Sequence, residues 1–360
     1  MNYRTATILA EKSLSGAGTE TIDVNVRDII SRLALTWKIT PSKHGMDSYP
    51  HKDITKIELV DGSDVLHSMD GGQNQALCIY DRKVPTMNYG QHQHNLSQLA
   101  NFGIDFGRFL YDPGLALDPT KFRNLQLKVS YDSDVADTGV TSGNLEVRAE
   151  IFDEKIVSPI GFLMSKMHHD RTPPASGYWY VDLPTDFPLR KMLVQGYQAA
   201  YEPWYQVSEV RLDEDNEKRI PLDWELETYY RKMVGIWAAV EEGIAVKPTT
   251  GVQYYYVTPS DYWVQVMLAN MTATTQIQAN PVRGGKIGLT SEEISQTAVG
   301  MVRGYLPNHC FEFPFGDQMD MADWYDVTRL GNLRLRMEAG GGGASGTVAV
   351  ILQQLRRYGA

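Results

Sequence analysis

The 360-residue chain has few cysteines, no long hydrophobic run and no excess of positive charge. Cys78 and Cys310 are its two cysteines, and so low a number excludes a disulfide framework and a cysteine-rich metal site. No apolar segment approaches the roughly 20 residues that a membrane-spanning helix needs. The first residues also lack the apolar core of a signal peptide, so we expect synthesis in the cytosol without secretion.

The formal net charge of −10 argues against a protein that wraps nucleic acid. Binding of that kind needs a basic surface, which displaces counterions from the phosphates. No lysine- or arginine-rich tail is present. If the protein encloses a genome, we expect another component to contact that genome, and we expect no sequence-specific nucleic-acid binding by this chain.

The chain lacks the sequence patterns of common catalytic sites: a Ser/His/Asp order, a nucleophile elbow and a P-loop. Gly341-x-Gly343-x-x-Gly346 matches the dinucleotide-binding string, but a strand-like Thr-Val-Ala-Val-Ile segment follows it where that motif requires a helix. We interpret it as a hairpin loop. Paired carboxylates for glycoside hydrolysis depend on separation in space, so a hydrolase stays open as an alternative. We assign no catalytic residue and no cofactor.

Two histidine pairs are possible metal ligands. His92 and His94 stand at positions i and i+2, which share one face of a strand and could share a metal ion. The glutamate expected a few residues later is replaced by Gln98. His168 and His169 precede an aspartate in a proline-rich segment, 168–177, that is predicted to be a loop. We predict polar segments rather than metal sites for both.

Residues 213–216, Asp-Glu-Asp-Asn, and the nearby Asp223 group several carboxylates, which hard cations such as calcium prefer. Their spacing does not match an EF-hand loop, and the corresponding earlier segment has Asp61 and Asp64 alone. We therefore predict an acidic turn between strands, and no metal site.

Aromatic residues are abundant: 7 Trp, 20 Tyr and 10 Phe. The densest clusters outside clear strands are residues 178–180 and 201–205. Such rings are enriched at protein–protein interfaces, and they are equally ordinary material for β-sandwich cores. Both interpretations stay open for these clusters.

The most informative positive feature is a repeat at an offset of about 200 residues. Phe-Glu-Phe-Pro-Phe-Gly at 311–316 corresponds to Phe-Gly-Ile-Asp-Phe-Gly at 102–107. Alternating apolar runs follow in both copies, at 331–337 and 348–352 in one and at 123–129 and 145–151 in the other. Apolar residues at every second position predict strands with one buried face.

The upstream segments repeat in the same order. Each half has an apolar run (30–39 and 189–197), then a strand and acidic turn (54–64 and 207–216), then a predicted helix (71–83 and 222–237). A preserved order of several short matches indicates a duplicated β unit. We predict an all-β protein with a few short helices, organised as an N-terminal arm at 1–20, a first unit at 21–183 and a second at 184–360.

The phrase Ile54-Thr-Lys-Ile57-Glu-Leu59-Val-Asp61-Gly62, leading into a helix, and the matched strands of both halves resemble a known family. It is the double jelly-roll major capsid proteins of tailless icosahedral viruses, the lineage that joins tectiviruses, corticoviruses and adenoviruses. The resemblance covers about residues 21–356. Architecture and strand phrases carry it, rather than an invariant catalytic motif.

The resemblance implies two consecutive eight-stranded jelly-roll β-sandwiches and a structural protein rather than an enzyme. It implies a homotrimer whose six barrels form a pseudo-hexagonal capsomer in the capsid shell of a virus such as a bacteriophage. The implied partners are further copies of the chain, neighbouring capsomers, penton or minor capsid proteins and often an internal membrane. The implied location is the virion, after synthesis in the host cytoplasm. The aromatic, β-branched excursion at 244–272 is expected on the exterior or at the trimer seam.

Two alternatives stay open. An enzyme built on two jelly rolls, such as an amidase or glycoside hydrolase that acts on glycans, would need a cleft with close carboxylates of shifted pKa. A pair of carbohydrate-binding modules would need an exposed aromatic platform and would be a monomer.

Overall fold

A computed structural model describes residues 1–43, 48–84, 87–92, 95–247, 252–268, 277–291 and 297–359. Within these residues the chain forms 23 strands, two α-helices and four short 3-10 helices. The predicted all-β class with a few short helices is confirmed. Neither α-helix in these ranges is long and apolar enough to cross a membrane.

The elements of the first half are β1 (Tyr3–Ser15), β2 (Ala17–Asp23), β3 (Ile30–Ile39), β4 (Ile54–Asp61), β5 (Asp64–Met69), α1 (Gly71–Arg82), β6 (Asn88–His92), β7 (Gln98–Asp105), β8 (Leu125–Asp132) and β9 (Ser142–Phe152). Short 3-10 helices lie at Pro50–Asp53 and Pro119–Lys121.

The elements of the second half are β10 (Gly161–Arg171), β11 (Tyr178–Leu183), β12 (Leu189–Tyr197), β13 (Val207–Glu214), β14 (Arg219–Glu225), α2 (Leu226–Met233), β15 (Val240–Val246), β16 (Gln253–Tyr256), β17 (Pro259–Leu268), β18 (Ile277–Val282), β19 (Lys286–Ser291), β20 (Ala298–Pro307), β21 (Cys310–Pro314), β22 (Leu333–Ala339) and β23 (Thr347–Arg357). Short 3-10 helices lie at Pro203–Tyr205 and Gly343–Ser345.

The order of the strands within the sheets confirms the duplication. In the first half the two facing sheets have the orders β1-β9-β3-β7 and β2-β8-β4-β5. In the second half they have the orders β10-β23-β12-β21 and β11-β22-β13-β14. Each of these eight strands of one half therefore has a counterpart at the same place in the other. Both halves are eight-stranded jelly rolls.

The N-terminal segment differs from its prediction. Residues 1–20 are not a free arm, because β1 pairs with β9 along its length and β2 pairs with β8. Gly16, in the left-handed conformation at φ 66°, makes the turn between β1 and β2. The mainly polar composition concealed the alternation in which Ala6 and Ile8 pack on the core of the first jelly roll.

The boundary between the two units also differs from its prediction at residue 184. β10 pairs with β23, and β11 pairs with β22, so both strands belong to the second jelly roll although they precede that residue. β10 also contains His168 and His169, which were predicted to lie in a loop. Its start is strongly apolar, while its polar second half resembles a loop in composition.

Each jelly roll has its own apolar core. Trp37, Phe102 and Phe162 are among the largest buried side chains of the first, and Phe311 and Phe313 fill the same role in the second. The two rolls are joined by the short parallel pairing of β5 with β10, which makes one continuous eight-stranded sheet across the joint. A second short parallel pairing, β6 with β15, joins the first half to the strands inserted in the second.

Both predicted helices are present. α1 begins with a capping box, in which Asp70 accepts a hydrogen bond from the backbone N–H of Gln73 and the Gln73 side chain accepts one from the N–H of Asp70. Its first residue must be glycine, because a Cβ at Gly71 would lie 2.4 Å from the carbonyl oxygen of His51. α2 is shorter than predicted, since residues 219–225 form the edge strand β14 instead.

The excursion of the second half is an insertion between α2 and β21, where the first half has only β6. β15, β20 and β17 continue one eight-stranded sheet, and β16, β19 and β18 form a sheet of their own. Tyr255 and Ile287 belong to a separate small core, so the described part of the excursion lies outside both jelly-roll cores. Residues 248–251 and 269–272 of the predicted excursion, 244–272, lie outside the described residues.

Candidate functional site

The helix α1 lies between the two jelly rolls and contacts both. On one side, the Asn74 amide donates to the carbonyl oxygen of Gly103 in β7 at 2.8 Å and accepts from its N–H at 3.0 Å. On the other side, Leu77 packs in an apolar cluster with residues of the second roll, namely Leu193, Ala349 and Ile351. Together with the pairing of β5 with β10, this helix holds one roll against the other.

A buried ionic network lies at the end of α1. The Asp81 carboxylate accepts hydrogen bonds from Arg190 and Lys191 of β12, each at 2.7 Å. Lys191 also pairs with Glu312 of β21 at 2.5 Å, and the Gln353 amide donates to Asp81 at 2.9 Å. The side chains of Asp81, Arg190 and Lys191 are only 2–4% exposed.

The electrostatics of this network follow from its burial. Burial by itself would raise the pKa of the Asp81 carboxyl, but the adjacent Arg190 and Lys191 outweigh it and hold that pKa well below its usual range. The carboxylate is therefore ionised at neutral pH. A buried charge without a partner costs several kcal/mol, so each member of the network depends on the others.

Polar contacts extend the joint towards the other end of α1. The Gln73 amide donates to Gln195 at 3.1 Å, and Asn308 donates to the carbonyl oxygen of Gly72 at 3.0 Å. His51 and His309 are buried here, and burial lowers the pKa of His309 to about 3 and that of His51 well below its usual range. Both rings are neutral at pH 7, so they add no positive charge beside the Lys52 ammonium.

The same helix-on-strand arrangement occurs in the second jelly roll. Tyr229 of α2 donates to the carbonyl oxygen of Glu312 at 2.7 Å, as Cys78 of α1 contacts the carbonyl oxygen of Gly103. The far side of α2, however, has no second roll against it. Its outward residues, Thr228, Arg231 and Lys232, are exposed.

The outer face of the first jelly roll is open in the same way. In the second roll this face, formed by β10, β23, β12 and β21, is covered by α1. In the first roll the corresponding face is formed by β1, β9, β3 and β7, and Thr5, Thr7 and Arg148 are exposed on it. The chain thus contains one completed contact between helix and sheet and the two unmatched halves of a second.

The histidine candidates do not form a metal site in the part of the chain that the structure describes. His94 and the side chain of His92 lie outside that part. His168 and His169 lie in β10, and partial burial lowers the pKa of both. No group of three or more His, Cys, Asp or Glu side chains among the described residues is placed to hold a metal ion.

The acidic turns have a structural role that is duplicated. Asp215 accepts hydrogen bonds from the backbone N–H groups of Gly331 and Asn332 at 2.8 and 3.1 Å. In the first roll Asp61 accepts from the N–H groups of Arg123 and Asn124 at 3.1 and 2.7 Å. Each aspartate thus hydrogen-bonds its turn to the backbone just before the neighbouring strand. The prediction of an acidic turn between strands is confirmed.

The enzyme alternative requires carboxyl groups of raised pKa, and burial raises the pKa of four among the described residues: Asp53, Asp170, Glu202 and Glu242. Burial raises the pKa of Asp53 and of Glu242 to about 7 each. Asp53 accepts from the N–H of Ala136 at 2.9 Å, and Glu242 accepts from the N–H of Thr258 at 2.7 Å. Both are buried and lie in different parts of the fold. They do not form the open pair of carboxylates that hydrolysis needs.

A cavity of about 340 Å³ opens beside the joint between the rolls, and its lining includes Asp81, Lys191, Glu312 and Trp237. Two of its three carboxylates, Asp81 and Glu312, are ion-paired with Lys191, and the third, Asp317, accepts a hydrogen bond from the backbone N–H of Met319 at 2.8 Å. The sequence-based predictions missed this ionic network. The one signal was a pair of adjacent cations, Arg190 and Lys191, inside an otherwise apolar strand.

The aromatic clusters divide between core and surface. Trp179 is buried, whereas Tyr178 and Tyr180 are 51% and 54% exposed on β11, with the guanidinium groups of Arg336 and Arg334 over their rings. Tyr201 and Tyr205 stack at 4.2 Å. The interpretation as core residues therefore describes Trp179, and the interpretation as surface residues describes Tyr178 and Tyr180.

The glycine-rich string is a loop, but the prediction of a hairpin is wrong, because the strands it connects, β22 and β23, lie in different sheets. It lies on Tyr205, whose carbonyl oxygen accepts a hydrogen bond from Gly342 at 2.7 Å. A Cβ at Gly340 would lie 2.4 Å from that same oxygen, so close packing requires glycine there.

The chain is similar in structure to several solved capsid proteins over nearly its whole length. It matches the STIV MCP, from Sulfolobus turreted icosahedral virus, with a TM-score of 0.61 at 10% identity, covering 99% of this chain and 98% of that one. It matches the major capsid protein P2 from bacteriophage PM2 with a TM-score of 0.54 at 8% identity, covering 99% of each chain.

A third match is to the capsid of PBCV-1, with a TM-score of 0.58 at 8% identity, covering 98% of this chain and 94% of that one. No family model matches the chain, and no curated protein matches it in sequence. The structural likenesses establish that the chain has the double jelly-roll fold.

The buried network gives a stability prediction. We expect Asp81→Asn to destabilise the protein by about 3–5 kcal/mol, because it leaves Arg190 and Lys191 buried with Glu312 as their only counter-charge. Asp64→Asn, which removes the exposed pair with Arg356, is the matched control and should cost at most about 1 kcal/mol. Urea unfolding of both variants measures the difference, and equal losses would contradict the role of the network.

Glu242 gives a prediction for pH. Its carboxyl has a pKa of about 7 in the folded protein against an ordinary value of 4.5. The stability that its neutral form contributes is fully present below pH 4.5 and is lost as the pH rises through about 7. Glu242→Gln stays neutral, so we expect it to raise the unfolding temperature at about pH 8, with a gain that shrinks towards pH 4.5.

Thermal unfolding at several pH values measures this gain, with Glu241→Gln on the exposed side of the same strand as the control. A gain for Glu242→Gln that is the same at every pH, or that grows towards acid, would show that the carboxyl is ionised in the folded protein.

Proposed function

We propose that the chain is the major capsid protein of a tailless icosahedral virus, a structural component that forms homotrimeric, pseudo-hexagonal capsomers in the virion shell. The observation that supports this most is the whole-length likeness to capsid proteins that contain two jelly rolls in a single chain. A match of nearly the full length on both sides leaves little of either chain for a different architecture.

The duplication suits a shell on physical grounds. Two similar units in one chain allow three chains to offer six similar units, so a three-fold oligomer can occupy six-fold positions with few distinct contacts. A jelly roll also folds its strands into two packed sheets and so limits the exposed edges on which proteins aggregate. An acidic chain with no basic tail suits a shell whose inner face meets a component other than bare nucleic acid.

The proposed partners follow from this role. They are further copies of the chain, neighbouring capsomers, penton or minor capsid proteins and an internal membrane where the virus has one. Synthesis would take place in the host cytoplasm. The insertion of β15–β20 would face the exterior or the seam between copies, and Trp263 and Met301 on its outer face are 63% and 54% exposed.

A carbohydrate-binding protein is the second candidate, and one observation favours it. Tyr178 and Tyr180 are exposed side by side on one face of the edge strand β11. Exposed aromatic rings are common sugar-binding surfaces, although here Arg336 and Arg334 already cover part of both rings. This candidate requires a monomer that binds glycans.

The mass of the purified protein in solution separates the two candidates. We expect light scattering after size exclusion to give about three times the chain mass of 40.5 kDa, or assembled shells, since stable oligomers bury large interfaces. Negative-stain images of the peak should show hexagonal outlines. A monomer near 40.5 kDa that binds glycans, with binding lost in a Tyr178→Ala and Tyr180→Ala double variant, would favour the carbohydrate-binding protein.

A further inference from the structure

We propose that the outward side of α2 docks on the outer face of the first jelly roll of a second copy, and that this contact is ionic, with Lys232 placed against Glu150. The inference rests on the proposed homotrimer and specifies which surfaces meet in it. The template is the contact that α1 makes inside the chain, because the duplicated fold repeats the geometry of both partners.

The two helices correspond residue by residue. α1 ends at its C-cap Lys83 and α2 at its C-cap Val234, a shift of 151 residues. The same shift relates Cys78 to Tyr229, and both contact the carbonyl oxygen at the same position of the following strand. Under this shift Leu77 corresponds to Thr228, and Asp81 corresponds to Lys232.

The two sheets also correspond residue by residue. Strand pairing relates Arg32 of β3 to Lys191 of β12. Each of them follows a register shift at the start of its strand. Arg32 lies opposite Asp105, the last residue of β7, and Lys191 lies opposite Pro314, the last residue of β21. On the other side of these strands, Glu150 of β9 lies opposite Arg32, and Gln353 of β23 lies opposite Lys191. Glu150 therefore corresponds to Gln353.

At the corresponding positions between copies, Lys232 takes the place of Asp81, and Glu150 takes the place of Gln353. Inside the chain, the acidic Asp81 lies against the basic Arg190 and Lys191 and the amide of Gln353. Between copies, the basic Lys232 would lie where the sheet presents the acidic Glu150. Arg32, which takes the place of Lys191, pairs with Asp105, and Asp105 also pairs with Arg82, so the proposed attraction of Lys232 is to Glu150 alone.

Lys232 and Glu150 each lack an ion-pair partner among the residues that the structure describes. Lys232 lies over the ring of Trp224 at 4.6 Å, with its ammonium group at the exposed surface of α2. Glu150 accepts hydrogen bonds from Thr5 and Tyr111 at 2.9 and 2.8 Å, which hold the carboxylate in place but leave its charge uncompensated.

The centre of the contact changes from apolar to polar. Inside the chain, Leu77 packs on Leu193, Ala349 and Ile351. At the corresponding places between copies stand Thr228 on the helix and three residues on the sheet: Ala34, Glu146 and Arg148. The contact within the chain is therefore permanent, whereas the contact between copies is held by charges that salt weakens.

The sheet edges support the same arrangement. Inside the chain the edge strand β5 pairs in parallel with β10 of the other roll. The corresponding strands are β14 and β1, and both are edges of their sheets in the single chain. Placing α2 on the first roll of another copy brings these two edges together and covers both.

A double-mutant cycle on the purified full-length protein tests the inference. We expect Lys232→Met and Glu150→Gln each to shift the trimer dissociation midpoint by roughly tenfold or more in protein concentration, and the double variant to be no weaker than either single one. Lys232→Glu should dissociate the trimer, and adding Glu150→Lys should restore it. Lys121→Glu, on an exposed lysine elsewhere, is the matched control.

Salt gives an independent reading with no variant that could misfold. We expect about 1 M NaCl to dissociate the wild-type trimer while its circular dichroism stays unchanged. Trimers that persist in Lys232→Glu and in high salt would overturn the inference and leave the proposed capsomer intact. A wild-type monomer at every salt concentration would instead overturn the proposed homotrimer, and the inference with it.

Discussion

The buried pairing of Asp81 with Arg190 and Lys191 is the interaction on which the rest of the structure depends. It joins the end of α1 in the first jelly roll to a strand of the second, and the three charged side chains are only 2–4% exposed. Such a network has little net stability to offer, but a mismatched partner is heavily penalised. The two rolls are therefore held in one relative placement, to which the short parallel pairing of β5 with β10 also contributes.

Repetition of one fold within a chain has a consequence for assembly. The first roll contacts the second through α1, and the second roll has the corresponding helix α2. The second roll receives α1 on its β10-β23-β12-β21 face, and the first roll has the corresponding β1-β9-β3-β7 face. In the single chain α1 packs on the face of the second roll, whereas the outward side of α2 and the corresponding face of the first roll are exposed. The exposed surfaces differ from the packed surfaces in chemistry, with Thr228 and Lys232 where Leu77 and Asp81 stand. In the proposed capsomer this difference is useful, because a chain that folds alone with open apolar surfaces would aggregate before it could assemble.

The sequence was sufficient to predict those elements whose patterns are local. Alternating apolar residues identified the strands around Phe102 and Phe311, and the repeated order of segments identified the duplication. Two elements were mispredicted because their local composition is misleading: β1 is mainly polar, with Ala6 and Ile8 as its inward residues, and the second half of β10 contains His168 and His169. The ionic network was invisible because Asp81 and Arg190 are 109 residues apart and meet only when the two rolls are placed together.

The most direct measurement is a cryo-EM reconstruction of the assembled protein at a resolution that places side chains. The account predicts three chains around a three-fold axis, six jelly rolls in a ring, and α2 of each chain on the β1-β9-β3-β7 face of the next, in the placement that α1 adopts within the chain. A ring in which α2 faces solvent would contradict the repeated contact. A particle without six rolls in a ring would contradict the account as a whole.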